Sequence, residues 1–203
     1  YSEYELPSGS ADNATEENAV TVVEVTKSNT AQKGVLRISK SGEVFSSVTE
    51  ADGIYQPVFT VKGLAGAIYE IAAAEDIITP DGTLRYAKGT VADTVTTDEN
   101  GKAESKPLYL GKYEIREIKA PYGMVLNGTE KTVELTYAGE TVEVTETAAE
   151  FYNDRQKASL SLSKILEKDE AFKIGNNSEI LSVRFGLYAA EDLTAADGTV
   201  IPK

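Results

Sequence analysis

A chain of 203 residues with 41% hydrophobic and 8% aromatic content can bury one good core and part of a second, and is too apolar to be disordered. Its 20 basic and 33 acidic residues give a net charge of −13, which argues against a phosphate backbone or an anionic membrane as partner. Cysteine, histidine and tryptophan are absent, which excludes disulfides, Cys/His metal sites and catalytic triads that need His or Cys.

Eleven tyrosines, sixteen glycines and short alternating runs rich in Val and Thr point to β structure. No run of 18 apolar residues occurs and residue 1 opens no signal-peptide pattern, so the chain reads as a piece of a longer protein. A lack of cysteine fits either a cytosol or a bacterial exterior.

Residues 1–18 are polar and acidic and read as linker. Within them "ELPSG" (5–9) is similar to a sortase sorting signal, but Gly9 stands where a threonine is needed. "AVTVVEVT" (19–26) is a strand candidate. Residues 1–33 are thus a linker or the last strand of a preceding domain, with Asn29 where a reactive asparagine of such a domain would stand.

The first full domain is expected over 34–156. Strand signals fall at 35–40, 56–62, 67–74, 84–91, 107–119, 131–137 and 141–153, separated by turn chemistry such as "PDGT", "DENG" and "LNG". Short strands at this spacing predict an all-β, immunoglobulin-like antiparallel sandwich. "TVELTYAGETVEVTE" reads as a hairpin hinged at Ala138-Gly139. "TDENGK" lacks the spacing of a calcium loop, and no metal or cofactor is expected.

An internal repeat sets the domain organisation. "AAED" at 73–76 is followed four residues later by "DGT" at 81–83, and "AAED" at 189–192 is followed four residues later by "DGT" at 197–199. Upstream, "ASLSLSK" (158–164) matches "GVLRISK" (34–40). Residues 157–203 are therefore read as the N-terminal part of a second domain.

Strand parity singles out three polar residues. In "GVLRISK" the side chains of Leu36, Ile38 and Lys40 share one face. In "YEIREIK" Tyr113, Ile115 and Glu117 share one face, and in "AEFYND" Phe151 and Asn153 do. A lysine, a glutamate and an asparagine are thus expected inside one core, where each alone costs several kcal/mol to desolvate. A buried Lys-Glu ion pair completed by Asn is one solution. The other is chemical: burial favours the neutral amine and the neutral acid. The amine of Lys40 can then attack the Asn153 carboxamide while Glu117 polarises the carbonyl and moves protons, releasing ammonia.

These residues resemble a known family. "LYLGKYEIREIKAPYGM" is similar to the E-box segment of Cna B-type (SpaA-type) domains of Gram-positive surface proteins and pilins, and "VLRISK", "LAGAIYEI" and "AEFYN" extend the resemblance. It covers 34–154 and, in part, 157–203. The resemblance implies a prealbumin-like sandwich with a self-formed Lys-Asn isopeptide bond: Lys40 the amine, Asn153 the amide, Glu117 the catalyst, and Lys164 the candidate amine of the second domain. Gly123-Met124 departs from the Gly-Tyr that often ends the pattern, which bears on packing rather than chemistry.

The function expected is a structural stalk module of a cell-wall-anchored bacterial adhesin or pilin, extracellular, partnered by neighbouring domains of the same stalk. The alternative is an adhesin module that recognises a host or matrix component. An enzyme acting on an external substrate is not expected, because no constellation beyond buried Glu117 supports one.

Overall fold

The computed structural model describes residues 25–27, 29–142, 144–165, 167, 169–173 and 183–203. The chain divides into two units, residues 1–30 and 31–203. In the first, the described residues 25–27, 29 and 30 are exposed and outside any strand, Asn29 included, and the rest of the expected 19–26 strand and "ELPSG" lie outside the described residues.

The second unit is built on β1 (Lys33–Ala51), long enough to serve two neighbourhoods. Its first half pairs in parallel with β11 (Val144–Asn153) on one edge, Lys33 opposite Val144 through Gly42 opposite Asn153. On the other edge it pairs antiparallel with β7 (Lys102–Glu104) and β8 (Leu108–Tyr109). Its second half forms an antiparallel arm with β2 (Ile54–Gly63), with a bulge between Phe45 and Ser47.

The facing sheet runs in the order β10 (Lys131–Leu135), β9 (Gly111–Lys119), β3 (Ile68–Ala73), β6 (Val91–Thr96), all antiparallel. Hairpins β4 (Ile77–Ile78) with β5 (Leu84–Tyr86), and β12 (Leu193–Thr194) with β13 (Val200–Ile201), complete the described strands. Leu36, Ile38, Ala149 and Phe151 from one sheet meet Tyr69, Ile71, Tyr113, Ile115 and Leu135 from the other in a single core. Fully burying each large side chain contributes roughly 1.5–3 kcal/mol. The all-β, immunoglobulin-like sandwich expected from the strand spacing is the fold observed, with the first and last strands of the domain as its parallel pair.

Three expectations differ in detail. The 84–91 run is two strands, β5 and β6, because "AKGT" turns at Gly89, whose φ is +82°. The 107–119 run breaks at Leu110, just before Gly111, whose φ is +143° and where a Cβ would fall 2.4 Å from Ile77 Cδ1. The expected hairpin at Ala138-Gly139 is instead a crossing between sheets, since β10 pairs with β9 and β11 with β1. Gln32 holds that crossing: its Oε1 accepts from Ala138 N at 3.0 Å and its Nε2 donates to Gly139 O at 3.2 Å. Alternation sets which face is inward; it does not decide whether two runs lie side by side or face to face.

Candidate functional site

The parity of three strands brings Lys40, Glu117 and Asn153 to one buried point. They are 2%, 2% and 1% exposed. Lys40 and Asn153 lie on adjacent parallel strands, Lys40 opposite Phe151 and Asn153 opposite Gly42, while Glu117 reaches across from the facing sheet beside Tyr69. The backbone of Lys40 is fixed from both sides, its N–H donating to Gly101 O at 2.7 Å and its carbonyl accepting from Leu64 N at 3.1 Å. Gly101 has no alternative there: its φ is +74°, and a Cβ would fall 2.1 Å from Lys40 O.

Lys40 Nζ stands 2.9 Å from Glu117 Oε1 and donates to Asn153 Oδ1. Asn153 Nδ2 donates to both Glu117 oxygens at 3.0 Å. The carboxylate also accepts from Asn127 N at 2.8 Å and from the Tyr69 hydroxyl at 3.4 Å. Among the described residues no buried side-chain polar atom lacks a partner. Burial pushes the Lys40 amine below the ordinary lysine range, a shift that the neighbouring Glu117 opposes. Burial and the Glu117 charge push the Tyr69 phenol upward, so it stays a donor.

Glu117 therefore touches the nitrogen of the amide rather than the oxygen on which a neutral carboxyl was expected to act; the Asn153 oxygen is taken by Lys40 Nζ. One carboxylate thus contacts both the Lys40 amine and the Asn153 amide nitrogen. Tyr69 and Asn127 were not singled out from sequence. Tyr69 was legible as an inward residue of "AIYEIA", on the face of Ile71 and Ala73. The Asn127 contribution is a main-chain N–H in the irregular segment between Met124 and β10, which no side-chain pattern reports.

Lys164 is exposed and outside any strand, as are Leu160 and Leu162. Met124 forms an isolated main-chain bridge with Arg155 just past Asn153. Among the described residues no helix is long and apolar enough to cross a membrane.

The E-box segment, the prealbumin-like sandwich and the inward glutamate now stand together with a direct match. Residues 59–149 match the SpaA prealbumin-like fold domain. The SpaA match encloses Glu117, while Lys40 and Asn153 flank it on the first and last strands. No curated protein sequence matches the chain. Similar solved structures include the minor pilin GBS52 of Streptococcus agalactiae, 18% identical over 66% of this chain and 49% of that one, TM-score 0.42. The major pilin SpaD of Corynebacterium diphtheriae is 20% identical over 61% of this chain and 30% of that one, TM-score 0.40. The Bacillus anthracis TIE protein is 24% identical over 61% of this chain and 17% of that one, TM-score 0.38. The chain spans less than half the length of each.

Proposed function

We propose that this chain is a stalk module of a Gram-positive surface pilin or adhesin, cross-linked by an isopeptide bond that it forms within itself between Lys40 and Asn153. The observation that carries this reading is the buried contact of Nζ with the Asn153 carboxamide, bridged by Glu117. The match of residues 59–149 to the SpaA prealbumin-like fold domain supports the stalk-module part of this reading.

The step balances as follows. A proton passes from Lys40 Nζ to Glu117, leaving a neutral amine and a neutral acid, the forms that burial favours. Nζ attacks Cγ of Asn153; the Nζ–Cγ bond forms and the Cγ–Nδ2 bond breaks as Glu117 protonates Nδ2. Ammonia departs, and the second proton lost from Nζ leaves with it or remains on Glu117. The strands hold the reactants at high effective molarity, worth several kcal/mol of the barrier. Each molecule performs this once, with no external substrate.

The mechanical consequence follows from topology. The joined positions are 113 apart, so the cross-link closes nearly the whole domain. A loop of that size gives on the order of 4.7 kcal/mol in the chain-entropy treatment of cross-links. Because β1 and β11 are neighbours in parallel, tension entering at β1 and leaving at β11 crosses the bond directly, and residues between Lys40 and Asn153 carry none of it. This suits an extracellular stalk whose partners are its neighbouring modules.

Intact mass under denaturing conditions tests the proposal. A mass short by one ammonia in the wild type, with full mass in Glu117→Ala, is expected; full mass in both would reduce the site to a buried ion pair.

A further inference from the structure

The two Asp-Gly-Thr turns are the same device. In Thr79-Pro80-Asp81-Gly82-Thr83, Thr79 N donates to Thr83 O at 3.0 Å, Gly82 N to Thr79 O at 2.8 Å and Thr83 N to Asp81 Oδ1 at 3.1 Å. In Ala195-Ala196-Asp197-Gly198-Thr199 the corresponding bonds are 2.8, 3.0 and 2.9 Å. The environments differ. The second turn sits on the arm of β1 and β2: Ala196 N donates to Phe45 O and Asp197 N to Ser46 O, both at 3.0 Å, and Ala195 is buried.

The acceptors lie at the bulge. Phe45 pairs with Phe59 and Ser47 with Val58, so Ser46 is the extra residue of β1, and its hydroxyl donates to Val58 O at 3.1 Å. The extra residue of a bulge is left without a ladder partner, and here the carbonyls of Ser46 and of its neighbour Phe45 accept from two successive N–H groups of the turn. The Asp197 carboxyl is held below the usual range chiefly by the side chain and backbone of Thr199 within the turn, with the smallest contribution from the charge of Lys62 of β2. Arg155, just past the last strand, clamps the same arm, its guanidinium 3.5 Å from the Phe59 ring centroid and its Nε 2.8 Å from Glu43 Oε2.

The decisive difference between the turns is one residue. Where the second has Ala196, the first has Pro80, which has no N–H to donate. Resting on the reading of 157–203 as part of a second repeat, we propose that the Phe45–Ser47 bulge is a docking socket for the Asp-Gly-Thr turn of the following repeat. The residue before the aspartate decides which turn fits: alanine seats, and proline is excluded. The contact then has a direction. The arm of one module receives the turn of the next, whereas the Pro80 turn of the first module cannot occupy the same socket in another copy, so the contact does not propagate into open-ended association.

The Pro80 turn also supplies the test, because it shows that proline at this position leaves the internal bonds of the turn in place. Amide exchange by NMR on the full 203-residue chain is compared for wild type, Ala196→Pro and Ala196→Gly. In Ala196→Pro the Asp197 amide is expected to exchange on the order of tenfold faster, with shifts at Phe45, Ser46 and Ser47, while Gly198 and Thr199 keep their protection. Ala196→Gly, which retains the N–H, is expected to keep Asp197 protected. Unchanged Asp197 exchange in the proline variant, equal loss in both variants, or loss at Gly198 and Thr199 as well would each overturn the proposal. Intact mass of the same samples reads the Lys40–Asn153 bond separately, so a failed docking and a failed cross-link are distinguishable.

Discussion

"GVLRISK" and "ASLSLSK" carry one pattern and meet two fates. In the first, Leu36, Ile38 and Lys40 are buried; in the second, Leu160, Leu162 and Lys164 are exposed and outside any strand. The difference lies in what surrounds them. Residues 34–40 have β11 on one edge, β7 and β8 on the other, and the facing sheet above, whereas no strand pairs with 158–164 among the described residues. A two-residue period says which side chains share a face; partners decide whether that face leaves water. A lysine becomes a chemical group of interest only where such partners bury it, as they do Lys40.

The largest break in this comparison comes from removing the partner that makes Lys40 unlike Lys164. Glu117→Ala is expected to abolish the mass deficit and to destabilise the domain by more than about 5 kcal/mol. It forfeits on the order of 4.7 kcal/mol from the proposed cross-link and leaves a buried ammonium uncompensated, which costs about 3–5 kcal/mol in comparable cases. Lys164→Ala, the same letter in the same pattern, is expected to change stability by less than about 0.5 kcal/mol. Thermal and denaturant unfolding of the two variants measures both; a Glu117→Ala chain as stable as wild type would remove the special status of Lys40.

A smaller break leaves the triad intact and disturbs its frame. Gly101→Ala places a Cβ 2.1 Å from Lys40 O at a φ of +74°, and is expected to cost about 1–3 kcal/mol or more and to slow or prevent the cross-link. Gly82→Ala has a similar φ, +80°, with nothing within 4 Å of the added atom, and isolates backbone strain from the collision. Equal losses in the two variants would show that contact with Lys40 O contributes nothing.

What was legible in the sequence divides along the same line. The inward positions of Lys40, Glu117 and Asn153 followed from parity alone, because each lies in a strand whose apolar neighbours fix the face. The meeting of the three did not follow from parity. It depends on β11 returning parallel to β1, and a turn at Ala138-Gly139 gives no sign that the chain crosses between sheets. The Gln32 contacts that hold this crossing come from over a hundred positions away. The fate of 158–164 was equally illegible, since its pattern is indistinguishable from that of a buried strand. Main-chain donors such as Asn127 N and Ala196 N are set by backbone geometry, which residue identity constrains only where proline forbids it.

A pH dependence sharpens the contrast between the two lysines. In the uncross-linked Asn153→Ala chain, Lys40 is expected to titrate below its unfolded value, ordinarily about 10.4, because burial disfavours the ammonium, as it does beside Asn153. The unfolded state then binds more protons than the folded one between those two values, so stability is expected to rise with pH across that window. The Lys40→Met change in the same background should remove the slope, and Lys164→Met should leave it. Urea midpoints across pH measure this; a slope that survives Lys40→Met would assign it to another group.

The smallest effect compares the two turns. Asp81 is held down to about 2, chiefly by the Thr79 hydroxyl at 2.6 Å, then by the backbone and side chain of Thr83, with a contribution from Arg85. Asp197 is lowered mainly by the Thr199 side chain and backbone, and Ala195 offers no hydroxyl in the place of Thr79. Thr79→Ala should therefore raise the Asp81 value toward the ordinary carboxylate range. The sign for stability is that of a depressed acid: the contribution is present above the unfolded value of about 3.9 and is lost as pH falls through the folded one, so the variant should lose it at a higher pH than wild type. Carboxylate titration by NMR reads the shift directly. An Asp81 value that stays near 2 without the Thr79 hydroxyl would mean that the rest of the turn already holds the charge, and that the two turns are electrostatically alike as well as geometrically alike.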